Sequence, residues 1–123
     1  MSRLGEELGA LLAALEAAGI RTALGGKLTA PAVLVEPGDP WSEPNTGRAI
    51  VGRTSRWRLT AIAGAVDTRA GLEELADLVE RVDGALRLDG VSAATWARPT
   101  TIPLGDGVIR PATIGTIQVR ASQ

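Results

Sequence analysis

The chain has 123 residues, with 13 basic and 14 acidic side chains for a formal net charge of −1, three Trp, no Phe or Tyr, and neither His nor Cys. Without imidazole or thiol there is no Ser-His or Cys-His nucleophile pair, no disulfide, no zinc–thiolate or histidine metal site and no thiol redox chemistry. The near-zero charge balance gives no global pull toward nucleic acid or an acidic membrane. The length fits a single domain over residues 1–123, burying about two-thirds of its extended surface. Its 45% apolar residues include 20 Ala against 31 Leu, Ile and Val, so the core is thin and contact with other subunits would support it.

In chain order, Leu4, Leu8, Leu11, Leu12 and Leu15 fall on one face at a 3.6-residue period and predict an amphipathic helix. Ser2 is its expected N-cap, and Gly19 the left-handed stop that folds Ile20 back onto Leu15. Ala32–Glu36 is a short strand closed by Pro37. From Pro37 to Gly52 the prolines, glycines, Asp39 and Asn45 read as one long irregular loop, of a length that usually means function. Arg53–Val66 is a strand with Trp57, Leu59, Ala61 and Ala63 on one face and Arg56, Arg58 and Thr60 on the other. A second helix over 68–88 follows, capped by Asp67 or Thr68, with a stripe of Leu72, Leu75, Val79, Val82 and Leu86 and outer-face pairs Asp77/Arg81 and Asp83/Arg87. Two strands close the chain, Val91–Arg98 and Ile109–Arg120, joined by a proline-containing hairpin connection over 99–108 with an Asp106-Gly107 turn. The order αββαββ predicts an α+β two-layer sandwich: a four-stranded, mainly antiparallel sheet with both helices on one face.

Few groups invite chemistry. Gly25-Gly26-Lys27-Leu28-Thr29 lacks the hydroxyl that a phosphate loop needs directly after its Lys, and reads as a connector. Glu36, Asp39 and Glu43 share a loop but match no calcium spacing, and read as solvated acids. Glu6/Glu7 and Glu73/Glu74 are adjacent on helices, so their side chains diverge and read as surface. No catalytic residue, metal ligand or cofactor site is expected, and the chain is expected not to be an enzyme. No apolar run approaches the roughly 18 residues of a membrane span, and the N-terminus has no signal-peptide pattern. What stands out is a candidate interface: Arg48, Arg53, Arg56 and Arg58 as a basic stripe, and Trp41 as an apolar anchor in the long loop. Trp57 and Trp96, within strands, read as core.

The succession of these elements resembles a known family. The helix ending in AAGI (17–20), the strand PAVLVEP (31–37), the irregular loop, RWRLTAIAG (56–64), the striped helix (68–88) and the closing strand IGTIQVRA (114–121) are similar to the tail terminator, or head-to-tail joining, proteins of long-tailed non-contractile phages, particularly of actinobacterial hosts. The resemblance implies a virion protein assembled in the host cytoplasm: a homohexameric ring that caps the tail tube at the head–tail junction. It would contact the major tail protein and a neck connector protein, let genome DNA pass through its lumen without specific binding, and touch no membrane. Scarce aromatics and the proline-containing connection at 99–111 depart from the pattern. The alternatives are another neck or head-closure subunit, or a small-molecule-binding α+β regulatory module.

Overall fold

A computed structural model describes residues 2–23, 29–45 and 52–122. The elements are α1 (Arg3–Ala17), β1 (Thr22–Ala23), β2 (Ala32–Pro44), β3 (Gly52–Ile62), α2 (Arg69–Ala85), β4 (Thr95–Trp96), β5 (Thr100–Pro103) and β6 (Ile109–Ser122). They form an α+β fold with one six-stranded sheet in the order β1-β2-β3-β6-β4, β5 also pairing with β6. All pairs are antiparallel except β1 with β2. The expected sheet of four strands is therefore two strands short, and αββαββ becomes three strands after each helix.

Both helices cover one face, as the stripes predict. Leu11 and Leu15 of α1 and Leu75, Leu78, Val82 and Leu86 on or just past α2 meet Val33, Val35, Trp57, Leu59, Ala61, Ala63 and Ile117 in one cluster. The phase of α2 is turned slightly from expectation. Leu78 is buried in place of Leu72, which stands 49% exposed, and Val79 is half-buried. In α1, Ser2 caps the start by accepting from the Gly5 N–H at 3.0 Å. Gly19, at φ +77°, ends the helix. The Ile20 N–H then donates to the Leu15 carbonyl at 3.0 Å and the Gly19 N–H to Glu16 at 2.9 Å, a Schellman stop. Arg81 of α2 reaches the orphan carbonyls of Ala18 and Gly19 at 3.2 and 3.4 Å, tying the helices together rather than pairing with Asp77.

Three expectations about irregular segments are corrected. The expected loop 37–52 is strand at both of its ends. β2 runs through Pro44 and resumes its register with β3 at Ser42↔Ser55, after an irregularity between Pro37 and Ser42. Of that loop, residues 46–51 lie outside the described residues, as do 24–28 of the excluded phosphate loop. The expected strand 91–98 shrinks to a bridge, Val91↔Val119, and the two residues of β4. The strand lost there reappears in the expected connection 99–108, where β5 pairs Thr100–Pro103 with Ala112–Ile109 and only Leu104–Val108 turn. Segment 88–103 thus covers the outer edge of β6 in short pieces. On the opposite edge, β1 covers only Val33 and Leu34, and Pro37, Pro40 and Pro44 punctuate the rest of β2.

Candidate functional site

The sheet face opposite the helices carries the side chains that alternate with the core. Glu36 and Glu43 come from β2, Thr54, Arg56 and Arg58 from β3, and Ile114, Thr116, Gln118 and Arg120 from β6. Register places Glu36 opposite Arg58, and the two pair at 3.0 Å. Arg56 pairs with Glu43 at 2.6 Å, diagonally across the irregular step in β2. On a half-solvated sheet such pairs add about 0.2–1 kcal/mol each. Their larger effect is to neutralise Arg56 and Arg58, which leaves Arg120 as the arginine of this face outside every ion pair among the described residues. At the hairpin end, Glu43, Asn45, Thr54, Arg56, Gln118 and Arg120 line a polar depression of about 220 Å³, with the Thr54 hydroxyl bonded to Asn45 at 2.5 Å.

Where it is described, the candidate basic stripe is divided between two faces. Arg56 and Arg58 share the open face, but Arg53 has the parity of Ser55 and Trp57 and points to the helix side, where its Nε donates to the Ser42 hydroxyl at 2.9 Å. Arg48 lies outside the described residues. Trp41 is not a loop residue but part of β2. It is 41% exposed, and its ring meets the buried ring of Trp57 edge-on at 5.6 Å between centroids. Half anchored and half open, it forms one wall of an apolar groove of about 370 Å³ beside the N-terminal half of α1, completed by Leu4, Leu8, Val35 and Pro37.

Beneath that groove lies a polar network that the acidic pairs on the helices did not suggest. The Glu7 carboxylate accepts from the buried Ser55 hydroxyl and from Trp57 Nε1 at 3.2 Å on one oxygen, with Arg3 at 3.5 Å from the other. Arg3 in turn donates to Ser42 at 3.3 Å. Glu74, also expected at the surface, accepts from the Gly64 and Ala65 backbone N–H groups and holds the turn between β3 and α2. Asp83 likewise serves the fold, accepting from Trp96 Nε1 at 2.9 Å instead of pairing with Arg87. Trp96 lies flat over Gly115, where a Cβ would come within 2.6 Å of its ring. The only signal for these roles in sequence was parity: a Ser inside an apolar strand needs a partner from whatever packs above it.

At the far end of the sheet, the β5–β6 turn is locked. The Asp106 carboxylate takes two bonds from Arg110, at 3.0 and 2.9 Å, and one from the Val108 N–H at 2.9 Å. Arg110 first, then the Val108 N–H, hold that carboxyl down at about 2. The same contact raises Arg110 above its ordinary value. Arg110 Nε also reaches the Gly64 carbonyl at 3.2 Å, fastening the hairpin to the end of β3.

No protein-family model matches the chain, and no curated protein is similar to it. Among solved structures, the chain is similar to one described as "Virion of native gene transfer agent (GTA) particle", at 15% identity and a TM-score of 0.46, over 92% of this chain and 84% of that one. That likeness is too distant to speak to function. Among the described residues, no helix is long and apolar enough to cross a membrane, and no group of acidic side chains has a metal-binding arrangement.

Proposed function

We propose that this chain is a structural virion subunit, a tail terminator whose six-membered ring caps the tail tube and joins it to the neck connector. The observation that carries the reading is the open sheet face. It spans β2, β3 and β6 without a helix, is firmly hydrogen-bonded, and has Arg58 and Arg56 neutralised in place by Glu36 and Glu43. A wall beside passing DNA should be polar without gripping many phosphates, and pairing Arg56 and Arg58 leaves Arg120 as the one cation of this face outside an ion pair among the described residues. The resemblance in element order supports the same assignment, and the site residues work by contact, with no catalysis and no cofactor. The test is to delete the gene from the particle that encodes it and image the products. Headless, overlong or uncapped tails restored by the wild-type gene are the expected result. Particles that join heads to tails normally without it would sink the assignment.

A further inference from the structure

Three of the six Asp residues stand directly before Gly: Asp83-Gly84, Asp89-Gly90 and Asp106-Gly107. In such a pair the side-chain carboxyl can reach the next main-chain nitrogen, with no Cβ on the following residue to obstruct it. Attack of that nitrogen on Cγ closes a five-membered succinimide, and the amide hydrogen leaves with the carboxyl hydroxyl as water. When water reopens the ring at the former main-chain carbonyl, the chain runs on through Cβ and Cγ as isoaspartate. Nothing is oxidised or reduced, and water is the only co-reactant.

The fold treats the three pairs differently. Asp83-Gly84 lies inside α2, whose hydrogen-bond ladder takes the Gly84 N–H, and the Asp83 carboxylate accepts from Trp96 Nε1 at 2.9 Å. At Asp106-Gly107 the carboxylate holds Arg110 and the Val108 N–H, while the Gly107 N–H donates to the Leu104 carbonyl at 2.8 Å. Ring closure uses the neutral carboxyl, and one held at about 2 instead of 3.8 is neutral roughly sixtyfold less often at any pH above both. At Asp89-Gly90 neither reacting group is engaged. Asp89 is exposed, its carboxylate joins no hydrogen bond or ion pair among the described residues, and the Gly90 N–H has no acceptor among them. One bond closes the turn around them, from the Val91 N–H to the Leu88 carbonyl at 3.1 Å. A shielding side chain at residue 90 is ruled out by its φ of +78° and by the Arg120 carbonyl oxygen, 2.9 Å from where a Cβ would stand.

We propose that Asp89-Gly90 is the place where this chain forms isoaspartate spontaneously, and that the change loosens the cover of the β6 edge. The segment just after it forms that cover. The Gly90 carbonyl accepts from the Arg120 N–H at 2.8 Å and Val91 bridges Val119. Ser92 then bonds Gln118 twice, its N–H to the carbonyl at 2.8 Å and its hydroxyl oxygen to the N–H at 2.9 Å. One extra main-chain atom immediately before Gly90 displaces its carbonyl from Arg120 first.

The test keeps full-length protein warm for weeks at neutral pH in heavy-oxygen water, then maps its peptides by electron-transfer fragmentation. Each passage through the ring leaves one heavy oxygen, and isoaspartate is told from Asp by its backbone fragments. Label and isoaspartate at residue 89 should exceed those at 83 and 106 by about tenfold or more, since both other sites must first open. In Arg110→Gln, labelling at 106 should rise about tenfold or more while that at 89 stays the same. Hydrogen exchange of the aged protein should show lost protection at the Arg120 and Gln118 amides. Aged Asp89→Glu, whose longer side chain closes no five-membered ring, should keep that protection. Labelling at 83 or 106 equal to that at 89, or none at 89, overturns the assignment. Isoaspartate at 89 with the Arg120 amide as protected as in fresh protein overturns the loosening of the edge.

Discussion

Replacing Glu7 by Ala removes the acceptor that α1 offers to two donors of the sheet. Trp57 Nε1–H has no other acceptor among the described contacts, and its residue is 2% exposed, so its loss carries a desolvation cost of about 1–3 kcal/mol. The Ser55 hydroxyl falls back on the Val119 carbonyl at 3.4 Å and loses less, about 0.5–1 kcal/mol. Arg3, one-third exposed, loses an ion pair of about 0–1 kcal/mol. The sum, with allowance for the better helix propensity of Ala, is a destabilisation of about 2–4 kcal/mol. Urea unfolding followed by Trp fluorescence measures it, and at this chain length each kcal/mol moves Tm by about 3–5 °C. Glu7→Gln keeps a carbonyl acceptor and should cost about 1 kcal/mol or less. In a double-mutant cycle, Ser55→Ala should relieve about 1 kcal/mol of the Glu7→Ala penalty, because the stranded hydroxyl is gone. If Glu7→Ala unfolds within about 0.5 kcal/mol of wild type, its carboxylate is solvated and the network does not hold α1.

Leu75→Ala, at a site 1% exposed in the middle of the core, should cost about 2–5 kcal/mol in the same unfolding assay, and a change under about 0.5 would displace it from the core. Gly115→Ala should push the Trp96 ring off the sheet and break its bond to Asp83, seen as a red-shifted Trp emission and a loss of about 1–3 kcal/mol; an unchanged spectrum would refute the stacking. The Asp106 carboxyl is held at about 2, below its ordinary 3.8, so the stability it adds is full above the unfolded value and is lost as pH falls toward 2. A carbon-detected NMR titration of that side chain should have its midpoint near 2 and move up toward 3.8 in Arg110→Gln, whereas a wild-type midpoint already at the ordinary value would mean the lock is open in solution.

The parts legible from sequence were those in which one period dominates. Leu11 and Leu15 locate α1, Gly19 and Ile20 stop it, and the alternation from Trp57 to Ala63 orients β3 and puts both helices on one side. Composition misled where turn-forming residues sit in an extended chain. Pro37, Gly38, Asp39 and Pro40 look like loop, yet an outer strand tolerates missing N–H groups on its unpaired side, so β2 continues through them. Pro99 and Pro103 hid β5 in the same way, since a short edge strand needs few donors. For the interface, counting arginines along the chain grouped Arg53 with Arg56 and Arg58. Their odd and even positions already separate them onto two faces, and the partners Glu36 and Glu43 become visible only when the register with β2 is known. The roles of Glu7 and Glu74 stay hidden in sequence because adjacency on a helix does not say which member of each pair faces inward.

The prolines of β2 also govern how this molecule behaves in a crowd. The Val33 N–H points outward to the Arg21 carbonyl at 2.9 Å, which sets the outward donors at alternate residues; the next after Val35 falls at Pro37, which has none. After the irregular step the Asn45 N–H points inward to the Gly52 carbonyl at 3.0 Å, so Pro44 takes another outward position, and at both prolines that margin has nothing to donate. An incoming strand finds half of a ladder, so the longest bare margin of the sheet is a poor template for copying itself into a cross-β stack. Even where copies of the chain are crowded together, this margin therefore discourages a generic strand-to-strand seam.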